Sequence, residues 1–95
     1  MPHYVYIIES LLDGTFYKGE TAQPNDRLRR HNAGLNASTA SRKPWRFLYL
    51  AVFPDRSAAL KEEKRLKRTH KTYLRWLIEQ PANLLKDPDA LSRLA

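Results

Sequence analysis

The sequence predicts an α+β fold, a small three-stranded antiparallel sheet flanked by helices in the order β-β-α-β-α-α. Three observations point there. Residues 3–9, 15–19 and 45–53 are rich in Tyr, Val, Ile and Phe, the composition of strands. Asp13-Gly14 places a tight turn between the first two. The stretches after Pro24 and Pro54 carry helix-start signals and apolar residues at helical spacing. A chain of 95 residues fits one domain, read here as residues 1–80 with a tail at 81–95 closing on it.

Taken in order, HYVYIIE (3–9) is the first strand and TFYKG (15–19) its hairpin partner. Gln23-Pro24-Asn25-Asp26 opens a helix, with Pro24 in the permitted first turn and Asp26 facing the positive end of the dipole. Gly34 closes it. LNASTASRKP (35–44) reads as a polar, flexible loop. WRFLYLAVF (45–53) is the strongest strand, and its near-continuous apolarity predicts a central position in the sheet. Pro54-Asp55 caps a helix over about residues 56–69, and a second follows over about 73–79, stopping before Pro81. The tail is expected to add a short helix capped by Asp87, with Pro88 at its first position. The chain begins with Met and ends within this closing helix, so the architecture is read as complete.

Composition removes several function classes. There is no Cys, which excludes disulfide scaffolds, Cys-ligated zinc and thiol catalysis. The longest apolar run, residues 47–53, is too short to span a bilayer. No apolar signal segment follows Met1, since His3 and Glu9 bracket the first apolar run, and a cytoplasmic location is the expectation. Seventeen Lys and Arg against ten Asp and Glu give a net charge of +7. The excess is clustered: residues 27–46 hold six basic and no acidic residues, and 61–71 hold six basic residues against Glu62 and Glu63. Such a surface attracts nucleic acid or an anionic membrane. Neither segment has the aromatic-rich opposite face of a surface-lying helix, which favours nucleic acid.

Three features exceed what a plain fold requires. Ala59, Leu66, Tyr73 and Leu77 mark a buried helical stripe, and Glu62 and Glu63 straddle it, each about 50 degrees from its centre. A carboxylate at that edge needs a cation, either a basic side chain or a metal ion, and helical geometry does not choose between the two glutamates. Arg27 and His31 stand four apart and share one helix face. Tyr4, Tyr6 and Ile8 alternate onto one side of the first strand, as Thr15, Tyr17 and Gly19 do on the second. Gly19 near the strand end suggests that something approaches the backbone closely there.

Together these features resemble the GIY-YIG endonuclease superfamily, in a small stand-alone bacterial form. Tyr4-Val5-Tyr6 stands where the family has its first motif and Tyr17-Lys18-Gly19 where it has the second, Tyr17 being eleven residues after Tyr6. Arg27 opens RLRRHNAG, which looks like the arginine motif with His31 one turn on. The run RSAALKEEKRLK (56–67) resembles the metal-binding helix, and its pattern selects Glu63 over Glu62. Pro44-Trp45 leads into the third strand as a fifth element; the likeness spans about residues 3–80, and its weight lies in these five short elements in the right order and spacing.

The resemblance implies a divalent-metal-dependent DNA endonuclease, hydrolysing phosphodiesters with Mg²⁺ or Mn²⁺ held by Glu63. A single carboxylate suits Mg²⁺, which keeps most of its waters. Arg27 would neutralise charge on the phosphate oxygens. Tyr17, Tyr6 or His31 would take the proton from the attacking water. The expected order makes Tyr17 the immediate base, with Tyr6 or His31 orienting it or relaying the proton. Tyr titrates near about 10 unless cations lower it, whereas His titrates near neutrality. Arg29, Arg30, Arg42, Lys43 and Lys67 are expected to touch phosphates without reading sequence. The substrate would then be chosen by shape, as in branched or single-strand-containing DNA met in DNA repair, or by a protein partner.

Two departures stand out. Glu20 and Thr21 follow Gly19 where some members carry Lys, and Lys18 lies on the opposite strand face. The Asn that many members place three turns after the metal-binding Glu is missing, Asn83 being the only later one. Glu20 favours the alternative of a non-catalytic nucleic-acid-binding module. A further alternative is an interaction domain docking through Leu84, Leu85 and the leucines at 91 and 94.

Overall fold

A computed structural model describes residues 1–93. Strands β1 (His3–Ser10), β2 (Phe16–Thr21) and β3 (Trp45–Phe53) form one antiparallel sheet in the order β2-β1-β3. Helix α1 (Pro24–Asn32) lies between β2 and β3 in sequence, and α2 (Arg56–Lys67) and α3 (Lys71–Ile78) follow. The α+β class and element order are as the sequence predicts. Both strands of the hairpin start about where expected, and Gly14 at the turn has φ of 78°.

The central strand is β1, not β3. β1 buries both faces: Val5 and Ile7 on one, Tyr6 and Ile8 on the other, all essentially inaccessible. β3 reads as near-continuous apolar for two other reasons. Helices cover one of its faces and α1 with the tail the other, so an edge strand is apolar on both sides. A bulge at Leu48, where Ile7 and Ile8 pair with Tyr49 and Phe47, also shifts the side-chain alternation. Phe47 therefore joins Tyr4, Tyr6, Ile8, Trp45 and Leu50, while Tyr49 joins Val5, Ile7 and Ala51 under α2 and α3.

Helix α2 is capped by Asp55, whose Oδ1 accepts from Ala58 N at 2.9 Å. It ends at Lys67 rather than 69, and α3 starts at Lys71 rather than 73, so the break between them is three residues. Ala59, Leu66, Leu74 and Leu77 supply the buried stripe, with Tyr73 at its margin.

Two expectations about irregular segments are corrected. Residues 35–44 are pinned rather than flexible: Asn32 grips Trp45 through N at 2.6 Å and O at 3.1 Å, and Trp45 Nε1 donates to Thr39 O at 3.0 Å. The tail forms short 3₁₀ turns at Leu84–Lys86 and Leu91–Arg93 instead of a helix from Pro88. Asp87 accepts from Asp89 N at 3.0 Å, which closes a local turn where the helix start was expected. Leu84 and Leu85 are half-buried against the Tyr6-side core, so much of each is already spent on the fold. The side chains of Leu91 and Leu94 lie outside the described residues.

Candidate active site

Tyr6 projects from β1 on the α1 side, directly opposite Gly19 of β2. The missing side chain at Gly19 lets the Tyr6 ring lie across the neighbouring strand; a methyl there would sit 2.5 Å from Tyr6 Cζ. The ring thereby carries its hydroxyl to His31, a fully buried residue near the end of α1, with 2.8 Å between Tyr6 Oη and His31 Nε2. On its other side, His31 Nδ1 lies 2.8 Å from Thr39 Oγ1.

The hydrogen-bond directions follow from one anchor. Thr39 Oγ1 donates to Asn36 O at 3.3 Å, which leaves its lone pairs for the Nδ1–H of His31. A neutral His31 protonated at Nδ1 presents a bare Nε2, so the Tyr6 hydroxyl donates to it. Burial holds the His31 pKa below its ordinary 6.5, and the Arg27 charge lowers it further, consistent with the neutral ring. Burial also drives the Tyr6 hydroxyl well above the ordinary tyrosine value. The neighbouring Tyr17 adds to that rise, Arg27 opposes it, and Glu63 contributes a smaller push upward.

Those influences locate the other expected residues. Arg27, one turn before His31, acts on both Tyr6 and His31. It lines a 390 Å³ cleft with Arg30, His31, Leu35, Asn36 and Ala37. Tyr17 is partly exposed and meets the cluster through its ring, 5.1 Å from His31 and 6.5 Å from Tyr6 between centroids. Tyr6, Tyr17, Arg27 and His31 are thus brought together from β1, β2 and α1, with Glu63 of α2 near enough for its charge to act on Tyr6.

The two glutamates of α2 are separated by the fold. Glu62 is gripped by Arg65 through Nε at 2.7 Å and Nη2 at 2.6 Å. It lies toward Tyr49, whose hydroxyl is raised first by burial and then by that carboxylate. Glu63, whose charge reaches Tyr6, pairs among the described residues with Lys67 alone, at 3.4 Å, a loose contact one helical turn away. That partner is easily displaced, so Glu63 fits a hard divalent cation as its one protein ligand. Among the described residues no group of three or more His, Asp or Glu could enclose a metal, so water would complete the shell.

The remaining expected residues divide. Arg30 and Lys43 are exposed and enter no ion pair among the described residues, and Arg30 lines the cleft. Arg29 is tied to Asp26 at 2.7 Å, Arg42 lies 3.5 Å from Asp13, and Lys67 holds Glu63. Glu20 points to the sheet face opposite Tyr6. Its Oε2 has no well-aligned hydrogen bond, with His3 Nε2 lying 3.1 Å away, while Arg56 is 3.9 Å from Oε1. Asn83 is buried and uses all its hydrogen-bonding capacity on backbone. It donates to Leu48 O (2.9 Å) and Ile78 O (2.8 Å), and accepts from Leu50 N (3.2 Å) and Leu85 N (3.1 Å). Thr39 was not foreseen; the local pattern Asn36-x-x-Thr39, apt for a side-chain-stabilised turn, was the available signal.

No helix among the described residues is long and apolar enough to cross a membrane. Comparison with known proteins agrees with the geometry. The GIY-YIG catalytic domain family matches residues 2–76. A UPF0213 protein of Haloquadratum walsbyi is 42% identical over 66 residues, covering 68% of this chain and 73% of that protein. One of Cupriavidus pinatubonensis is 39% identical over 82 residues, 82% of this chain and 90% of its own length. The solution structure of a UPF0213 protein from Bacillus halodurans superposes with a TM-score of 0.57 at 30% identity, covering 97% of this chain and 98% of the other. The chain belongs to the GIY-YIG family, with a nuclease-type domain built for a nucleic-acid substrate.

Proposed function

We propose that the protein is a divalent-metal-dependent DNA endonuclease. The observation that carries this reading is the line Thr39–His31–Tyr6, directed at a site flanked by Arg27 and Glu63. Hydrolysis needs a proton acceptor for water, a cation on the phosphate and a group to hold the metal. These side chains supply all three.

Tyr6 passes its proton to His31 Nε2 as its oxygen takes one from water. The hydroxide forms a bond to phosphorus and the P–O3′ bond breaks, leaving a 5′-phosphate and a 3′-oxygen that takes a proton from solvent. His31 becomes a cation held by Thr39, and Arg27 faces the phosphate oxygens. Glu63 would hold Mg²⁺ or Mn²⁺, which when bound supplies Lewis acidity at the phosphate and at the departing oxygen. The sequence reading gave Tyr17 the role of immediate base; the hydrogen bond between Tyr6 and His31 supports exchanging those roles, with Tyr17 walling the site. Glu20, the feature that favoured a non-catalytic module, sits at a strand position on the sheet face opposite Tyr6, yet it lines a cleft with Arg27 and Arg30, so catalysis beside it is what the nicking assay decides.

Arg30 and Lys43 contact phosphates, which points to recognition of DNA shape, such as a branch or a single-stranded stretch, more than of base sequence. The test is nicking of supercoiled plasmid and of labelled branched DNA with Mg²⁺ or Mn²⁺, a chelator control and a Glu63→Ala protein. Cleavage that needs both metal and Glu63 is expected. Binding without cutting under every metal condition would sink the enzymatic reading.

A further inference from the structure

On the sheet face remote from Tyr6, α3 presents Trp76 with 55% of its surface exposed, whereas Trp45, the other tryptophan, is 3% exposed. α3 is anchored by Leu74 and Leu77, so the fold does not require an indole at position 76. The ring is nonetheless held in a defined position. Tyr73 lies against it, with centroids 5.5 Å apart and planes inclined by 32°. Arg65 braces Tyr73, its guanidinium carbon 5.3 Å from the ring centroid and its Nη1 3.1 Å from the hydroxyl. Glu62 in turn fixes Arg65. The result is a supported row of flat groups ending in Trp76, more than half of whose surface is exposed.

Cations stand on either side of Arg65 along the chain: Lys61, four before it on α2, and Arg68, three after it and just past the helix end, are both exposed. Neither forms an ion pair among the described residues. A braced aromatic ring flanked by unneutralised cations matches a nucleobase on its phosphate backbone. A base within a duplex has both faces stacked already, so the ring selects unpaired bases.

We propose that Trp76, backed by Tyr73 and Arg65, is a stacking site for a base of single-stranded nucleic acid, with Lys61 and Arg68 holding the adjoining phosphates. This site is separate from the hydrolytic one, and its test reads no hydrolysis.

Binding of fluorescently labelled ten-nucleotide oligothymidylate is measured in chelator at low salt, beside an abasic strand of equal length and charge. The wild-type protein is expected to prefer the thymidylate, and titration is expected to quench the Trp76 emission. Trp76→Ala should weaken thymidylate binding on the order of tenfold and leave the abasic strand unchanged, with Trp76→Phe between the two. Equal affinity of wild type and Trp76→Ala for thymidylate would overturn the proposal, as would an equal loss on the abasic strand. Self-association without nucleic acid that vanishes in Trp76→Ala would also overturn it, by assigning the ring to a second copy of the chain. Failure of the nicking assay leaves these readouts unaffected.

Discussion

Gly19 and Tyr6 face each other across the β1–β2 pair, and the tyrosine ring occupies the space that any side chain at position 19 would need. The ring cannot move aside, because it is buried and its hydroxyl is bonded to His31. Gly19→Ala should therefore destabilise the protein by about 1–3 kcal/mol. Activity should fall further than the folded fraction does, since the hydroxyl is displaced from Nε2. Chemical denaturation beside the nicking rate checks this; unchanged cutting would show that the ring position is not critical.

Removing the hydroxyl tests the relay directly. Tyr6→Phe is expected to slow cleavage by about 10²- to 10⁴-fold, the usual worth of a positioned acid or base, while DNA affinity stays near wild type. Tyr17→Phe should cost less. A reversed ranking in single-turnover rates would return the base role to Tyr17.

The depressed pKa of His31 makes two predictions about pH. The unfolded chain takes up a proton on this residue near its ordinary 6.5, and the folded protein does so only at lower pH. Between those values the unfolded state binds more protons, so stability falls as pH drops through that window and is constant, for this residue, above it. His31→Gln should flatten this slope in urea titrations at stepped pH. The acid limb of the cleavage rate should likewise lie below 6.5; a midpoint above that value would remove neutral His31 from the mechanism.

Asn83→Ala leaves two backbone carbonyls and two amides without their side-chain partner. A loss of about 3 kcal/mol is expected from the penalty for unmet buried groups. Asn83→Asp should be nearly as damaging, because it keeps the acceptors and loses the donors. Thermal melts check both, and a shift within error for Asn83→Ala would refute the structural role.

Arg30→Ala should weaken DNA binding uniformly across sequences and lower the slope of log affinity against log salt by about 1. Arg29→Ala should change it less, because Asp26 already neutralises that guanidinium. Anisotropy titrations across a salt series distinguish them.

Most of the element order was legible because it rests on local signals: Asp13-Gly14, Pro24, Gly34, Asp55 and the β-branched and aromatic runs. The sheet order was not, because the apolarity of β3 reports how many of its faces are covered, and an edge strand covered on both looks central. The pairing of Glu63 with the Tyr6 side depends on where α2 crosses the sheet, which helical periodicity does not encode; the family resemblance supplied that choice. The orientation of Glu20 was available, since alternation puts it on the face of Lys18. Thr39 and Asn83 were hidden because their roles exist only after a loop closes and a tail returns.

The carboxamide of Asn83 is itself shaped like a peptide unit, and it is bonded to Leu48 O and Leu50 N as a fourth strand would be. The outer rim of β3 therefore meets solvent with those two positions already taken. A foreign extended segment that tried to lengthen the sheet there would have to evict a buried side chain and unseat the end of α3 at Ile78. One internal residue thus sets the width of the sheet and helps a strongly apolar edge strand resist templating aggregation.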